Sequence, residues 1–305
     1  MNTDSNDFGH EFSDLYKEAE IENFDSVLNY KIESDRYEIH EVVASGGMKN
    51  IHKALDKKCE RIVALATPKQ DIDESFYEVF LREAKLTARL DHPNIMPIHD
   101  LGLRESGQPY FTMDLKSGDS LGTIIQKLAD GDLHYLKTYN TAELINIFIK
   151  ICDATAYAHE HNVIHLDIKP ENIQIGDFGE ELICDWGLAW ILFEEAGEKI
   201  NSNLFNPAPY DQIKGTPGYM APETVQGWEP DERSDIYSLG VVLYELLTGD
   251  LPYGRGALSE FGILELQRKI REEDPPKPST RLSMRRPGAP DAASHRRLEI
   301  GRAHV

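Results

Sequence analysis

One stretch of the chain, His165-Leu166-Asp167-Ile168-Lys169-Pro170-Glu171-Asn172, brings a carboxylate, an ammonium and a neutral amide together at offsets of 0, 2 and 5. It follows the apolar pair Val163-Ile164 and reads as a loop. A carboxylate can take a hydroxyl proton, a cation can balance a moving phosphoryl group, and an amide oxygen can ligate Mg²⁺, so the set suits phosphoryl transfer. A charged surface loop is the plainer reading of the same string. Thirteen residues beyond Asn172 stands a further candidate ligand, Asp185.

The elements around the loop decide which acid joins it. Ile173-Gln174-Ile175, a turn at Gly176–Gly179 and Leu182-Ile183-Cys184 read as a hairpin. Asp177, in Asp177-Phe178-Gly179, falls at the hairpin tip, roughly 10–16 Å from Asn172 at ~3.3 Å per residue. The returning strand brings Asp185, in Asp185-Trp186-Gly187, back beside Asn172. Asp185 can therefore share a metal with Asn172, while Asp177 serves the turn.

Upstream, Tyr37–Ile39, Val42-Val43, Asn50–Ala54 and Arg61–Leu65 read as strands, with a Ser45-Gly46-Gly47 turn between the second and third. Ser75 and Glu78 have capping-box spacing and open a helix whose apolar face is Phe76, Val79, Phe80, Leu86 and Leu90. Helices dominate from about Leu121. One starts at Asn140 with Leu144, Ile147, Phe148, Ile151, Ala154 and Ala158 on its buried face. Another runs from about Ser234 to Leu247 and stops at Gly249. A strand-rich first third and a helix-rich remainder predict an α+β fold in two lobes.

Charge and composition exclude several classes. The 305 residues are 40% hydrophobic, enough for a sizeable core, and the net charge of −21 argues against a nucleic-acid binder or an anionic-membrane binder. Cys59, Cys152 and Cys184 lie far apart, which fits a reducing, cytoplasmic setting better than a disulfide framework or a zinc ribbon. No run is long and apolar enough for a membrane span, and the acidic N-terminus does not read as a secretory signal. Residues 1–41 carry a net −9 and residues 281–305 a net +4, all six cations of the latter being Arg. We therefore expect an acidic, flexible arm over 1–36, lobes over 37–115 and 116–280, and a non-native tail over 281–305, whose ending Ile300–Val305 resembles a translated sequencing adapter.

Between Tyr37 and Thr280 the chain resembles a protein kinase of the bacterial serine/threonine type. The loop His165–Asn172 is joined, in family order, by His92-Pro93-Asn94-Ile95, Met113-Asp114-Leu115-Lys116, Gly215-Thr216-Pro217-Gly218-Tyr219-Met220-Ala221-Pro222-Glu223 and Ser234-Asp235-Ile236-Tyr237-Ser238-Leu239-Gly240. The resemblance implies a bilobal fold, with a small antiparallel-sheet N-lobe bearing one helix and a larger helical C-lobe. It implies ATP and Mg²⁺ and protein substrates bearing Ser or Thr. By resemblance Asp167 is the catalytic base, Lys169 neutralises the transferred phosphoryl, Asn172 and Asp185 hold Mg²⁺, and Asp235 holds the catalytic loop. Met113 is the gatekeeper, and the backbones of Asp114 and Lys116 take the adenine edge.

The chain departs from the family pattern at three places. Where the third strand should end V-A-x-K, it reads Val63-Ala64-Leu65-Ala66, so the phosphate-gripping lysine is missing. The Gly-rich loop, Ala44-Ser45-Gly46-Gly47-Met48-Lys49-Asn50-Ile51, has Lys49 in place of its third glycine. Side chains two apart in a strand share a face, so Lys49 points the same way as Ile51, the adenine cap, toward Ala64 and Ala66 on the next strand ~4.8 Å away. This resembles the with-no-lysine kinases. Glu83, on the buried stripe of its helix, needs a cation, and Lys49 can supply it. Lys53 lies too far along its strand, and Lys69 has the wrong parity. Leu166 replaces the Arg that reads an activation-loop phosphate. The long segment from Asp185 to Thr216 has Ser202 as its only hydroxyl before Tyr210, and the usual Arg partner of Glu223 is absent. The expected activity is transfer to protein Ser/Thr. A pseudokinase acting as a nucleotide-dependent interaction module and a small-molecule kinase are the competing readings.

Overall fold

The structure is a computed structural model that describes residues 36–46, 48–70, 72–73, 76–195, 198–200, 215–255 and 257–284. Residues 1–35 of the acidic arm, Gly47, Ser75, Ser202, Tyr210 and residues 285–305 of the expected 281–305 tail lie outside the described residues. The fold is α+β and divides into two compact units, with the boundary between Lys116 and Ser117.

The first unit is a five-stranded antiparallel sheet with one helix. Its strands are β1 (Tyr37–Ser45), β2 (Lys49–Asp56), β3 (Arg61–Pro68), β4 (Ile98–Leu103) and β5 (Pro109–Met113), in the order β1-β2-β3-β5-β4. The two short runs expected near the start are one strand, irregular in register between Ile39 and Ala44. Strands β4 and β5 carry only weak alternation and were not foreseen. Helix α1 spans Tyr77–Arg89; Phe76 stands at its cap with no side-chain hydrogen bond. Its buried residues are Phe80, Leu81, Ala84, Leu86 and Thr87, so the packed stripe is rotated from the expected one and Val79 is only half-buried. Phe80, Leu81 and Ala84 pack on Ala66 and Phe111 of the sheet.

The second unit is mainly helical. Its longer helices are α2 (Leu121–Ala129), α3 (Leu133–Thr138), α4 (Thr141–Glu160), α5 (Pro222–Val225), α6 (Glu232–Thr248), α7 (Ala257–Glu272) and α8 (Pro278–Met284). Polar side chains start them: Ser120, Asp132, Asn140 and Asp231 each accept a first-turn N–H. The buried face of α4 is the expected one, except that Thr155 is inside and Phe148 only half-buried. Helix α6 ends at Gly249, whose φ of 71° is left-handed and favours glycine. Along α8, Arg281 pairs with Asp250 and Leu282 is buried.

A small sheet carries the loop expected to do chemistry. Strand β6 (Asp119–Ser120) pairs with β8 (Ile173–Ile175), which pairs with β9 (Glu181–Ile183). A second pair joins β7 (Val163–Ile164) to β10 (Trp190–Ile191), and β11 (Phe193–Glu195) pairs with β12 (Glu198–Ile200). The chain between β7 and β8 is thereby tied at both ends. A side chain at Gly118 is excluded: its φ is 100°, and a Cβ there would lie 2.2 Å from the Ile175 carbonyl oxygen of β8.

Candidate active site

In the first unit, strand register places the expected nucleotide residues on one face. Lys49 stands opposite Pro68, Ile51 opposite Ala66 and Lys53 opposite Ala64. Ala64 stands opposite Met113 and Ala66 opposite Phe111. Directly opposed residues project to the same side of a sheet, so Lys49, Ile51, Ala64, Ala66 and Met113 share the face that α1 covers. Ile51 and Met113 pack against the Ala66–Phe80–Phe111 cluster. Ala66 is wholly buried, and its neighbours are apolar.

Glu83 of α1 is the charged group beside this apolar packing, and the Lys49 ammonium forms an ion pair and hydrogen bond with its Oε1. The side chains are 21% and 13% exposed. A pair this withdrawn from water is held more firmly than a surface pair, and breaking it is the more costly for that. The other two lysines lie elsewhere. Lys53 stands 3.7 Å from Glu41 of β1. Lys69 lines a cavity of about 330 Å³ with Asn50, His52 and Thr67, on the opposite side of the sheet. Gly46 closes the preceding turn, its N–H donating to the Lys49 carbonyl at 2.9 Å.

At the end of the unit, Asp114 bonds His99 Nε2 at 2.8 Å and pairs with Lys116 Nζ at 3.2 Å. Burial raises the Asp114 carboxyl, but His99 and Lys116 outweigh it and hold the group below the usual carboxylate range.

In the second unit, the loop His165–Asn172 is built around Asp167. Lys169 Nζ donates to Asp167 Oδ2 at 2.6 Å and to Thr216 Oγ1 at 2.8 Å. Thr216 Oγ1 donates to Asp167 Oδ1 at 3.3 Å, closing a triangle. Asn172 Nδ2 donates to the Asp167 carbonyl at 2.9 Å and to Oδ2 at 3.0 Å. These bonds turn the amide nitrogen of Asn172 toward Asp167.

The hairpin sets the two acids apart. Asp177 is exposed at the turn, next to Phe178, which is 93% exposed. Ile173 pairs with Ile183, and the Cys184 N–H donates to the Asn172 carbonyl at 2.8 Å, so the chain entering Asp185 runs beside Asn172. Asp185 is exposed and has a φ of 64°. An amide oxygen and a carboxylate are hard ligands of the kind Mg²⁺ takes, with the remaining positions left to phosphate and water. Trp186, buried at 2% exposure, lies against the His165 ring with centroids 4.5 Å apart.

One buried carboxylate fixes the loop. Asp235 of α6 is wholly buried; its Oδ2 accepts the His165 N–H and His159 Nε2, and its Oδ1 accepts the Leu166 N–H, each at 2.8 Å. Leu166 is held at φ 63°, a costly conformation for a branched side chain. The His165 ring donates from Nε2 to the Cys184 carbonyl at 3.1 Å and accepts the Asp167 N–H at Nδ1, at 3.2 Å. His159 was not foreseen. Glu223, whose partner was expected to be missing, accepts a hydrogen bond from Ser234 Oγ at 2.6 Å.

Residues 37–286 match the family model described as protein kinase domain, and the chain belongs to that family. Among curated relatives, it is 39% identical over 244 residues to the serine/threonine-protein kinase PknD of Protochlamydia amoebophila, a match covering 75% of this chain and 25% of that protein. It is 36% identical over 239 residues to PknD of Chlamydia trachomatis serovar D and 37% identical over 232 residues to PknD of Chlamydia caviae, each match covering 72% of this chain and 25% of the relative. The chain thus matches about a quarter of the length of these relatives. Among the described residues, no helix is long and apolar enough to cross a membrane.

Proposed function

We propose that this chain transfers the γ-phosphoryl group of ATP to serine or threonine hydroxyls of protein substrates. Asp167 accepts the hydroxyl proton as the oxygen–phosphorus bond forms and the bond from the γ-phosphorus to the bridging oxygen breaks, releasing ADP. Lys169, already seated between Asp167 and Thr216, balances the charge on the moving phosphoryl. Asn172 and Asp185 hold Mg²⁺, which when bound neutralises and orients phosphate oxygens. In the other unit, Gly46 shapes the loop over the phosphates, and Ile51, Ala64 and Met113 enclose the base. The backbones of Asp114 and Lys116 bond its edge. Lys49, oriented by Glu83, grips the α- and β-phosphates.

The Lys49–Glu83 pair carries this reading. Ala66, where an active family member normally has lysine, favours the competing one, a pseudokinase that binds partners without turnover. A chain without catalysis need not keep Glu83 once the third-strand lysine is lost, whereas a kinase using Lys49 would keep it. Three free cysteines and an ATP-dependent chemistry support a cytoplasmic setting. The test is label transfer from radiolabelled ATP, comparing wild type with Asp167→Asn. Label above the variant supports the kinase; equal incorporation supports the pseudokinase.

A further inference from the structure

Helix α6 carries more than the carboxylate that holds the loop. Ser238 and Glu245 follow Asp235 by three and ten residues, which at 3.6 residues per turn places all three along one side. Ser238 Oγ donates to the Tyr219 carbonyl at 2.8 Å, and the Tyr219 hydroxyl donates to Glu245 Oε2 at 2.6 Å. Tyr219 is thereby fastened at both ends. Its N–H donates to the Thr216 carbonyl at 2.9 Å, closing the turn that presents Thr216 to Lys169 and Asp167.

Glu245 is 1% exposed. Burial raises its carboxyl, the Tyr219 hydrogen bond and Arg255 oppose the rise, and Glu171 and Asp250 add to it. Arg255 Nη2 lies 2.5 Å from Glu245 Oε1, with 45% of the arginine side chain exposed. Its own N–H is fixed on Asp250 Oδ1 at 3.1 Å, so the loop after α6 aims the guanidinium inward.

We propose that Arg255 is a positioning residue for the protein substrate. It compensates the buried Glu245 carboxylate, which holds Tyr219 and with it the segment Gly215–Glu223, the stretch that by the family resemblance would seat an acceptor polypeptide. The assignment rests on the kinase reading above. Loss of Arg255 leaves a buried carboxylate facing Glu171 and Asp250 without its cation, and Tyr219 loses its fixed acceptor.

The test is steady-state transfer to myelin basic protein by the full chain, with melting curves for every variant. Arg255→Ala and Arg255→Gln raise the KM for the protein roughly tenfold while kcat and the KM for ATP stay near wild type, and Arg255→Lys restores much of the loss. In a Glu245→Gln background, Arg255→Ala has no further effect, because a neutral amide needs no cation. An unchanged KM, the same rise in both backgrounds, or a fall in melting temperature and kcat without a KM effect overturns the assignment. A wild type that transfers no label overturns the kinase reading and this assignment with it. An active wild type with an unchanged Arg255→Ala variant overturns this assignment alone.

Discussion

Lys49 of β2 and Glu83 of α1 form an ion pair over the same sheet face on which β3 carries Ala66. The ammonium that meets Glu83 comes from the second strand, two residue pairs beyond the Ile51–Ala66 pair. Lys49→Ala should lower phosphoryl transfer by about 10²–10³-fold, the usual effect of removing one preorganised charge. Lys69→Ala, whose side chain lines a cavity on the other side of the sheet, should retain wild-type rates. Parallel rate measurements on both variants check this; equal rates for the two would refute the placement.

Asn172 and Asp185 should set the Mg²⁺ requirement. Either Asn172→Ala or Asp185→Asn should raise the Mg²⁺ concentration giving half-maximal transfer by about tenfold or more, at fixed ATP. Asp177→Asn, at the exposed hairpin tip, should leave that titration unmoved. A shift with Asp177→Asn and none with Asp185→Asn would exchange the two roles.

Asp235 bonds two backbone N–H groups and a histidine while wholly buried. Asp235→Ala strands these donors and releases Leu166 from its left-handed conformation, so stability should fall by about 2–5 kcal/mol. Urea unfolding measures the loss. His159→Ala removes one donor and leaves both backbone bonds, so its cost should be clearly smaller.

Acid sensitivity in the first unit should centre on Asp56. Arg36 bonds it through Nε and Nη2, both at 3.1 Å, and the Lys58 and Cys59 N–H groups add to the pull, holding the carboxyl at about 2. The folded state binds this proton more weakly than the unfolded chain, so the stabilisation is complete above the ordinary carboxylate pKa. It is lost as pH falls from about 4 to about 2. Allowing for water around Arg36, 18% exposed, it amounts to roughly 1–2 kcal/mol. The stability gap between wild type and Asp56→Asn should be open at pH 6 and closed near pH 2; a gap independent of pH would refute it.

Much of this was legible in the sequence because it depended on local spacing. The period-2 rule put Lys49 and Ile51 on one side of β2, and hairpin length separated Asp177 from Asp185. What escaped depended on contacts distant in sequence. His159 and Asp235 are 76 residues apart, and no periodicity joins them. Strands β4 and β5 are read as strands only once β5 pairs with β3 and β4 with β5. The Tyr219–Glu245–Arg255 chain had a signal, polar Ser238 and Glu245 on the helix side already marked by Asp235, but their partners lay in loops that carry no pattern of their own.

The Ala66–Lys49 arrangement has a practical consequence. Replacing the third-strand lysine is a familiar way to silence such a domain, and here that replacement is already present in the natural chain. A survey that sorts sequences by that one position files this one among the silent. A survey that asks which ammonium reaches the helix carboxylate finds one here, and an amine-reactive nucleotide probe should leave its mark on a β2 peptide instead of a β3 peptide.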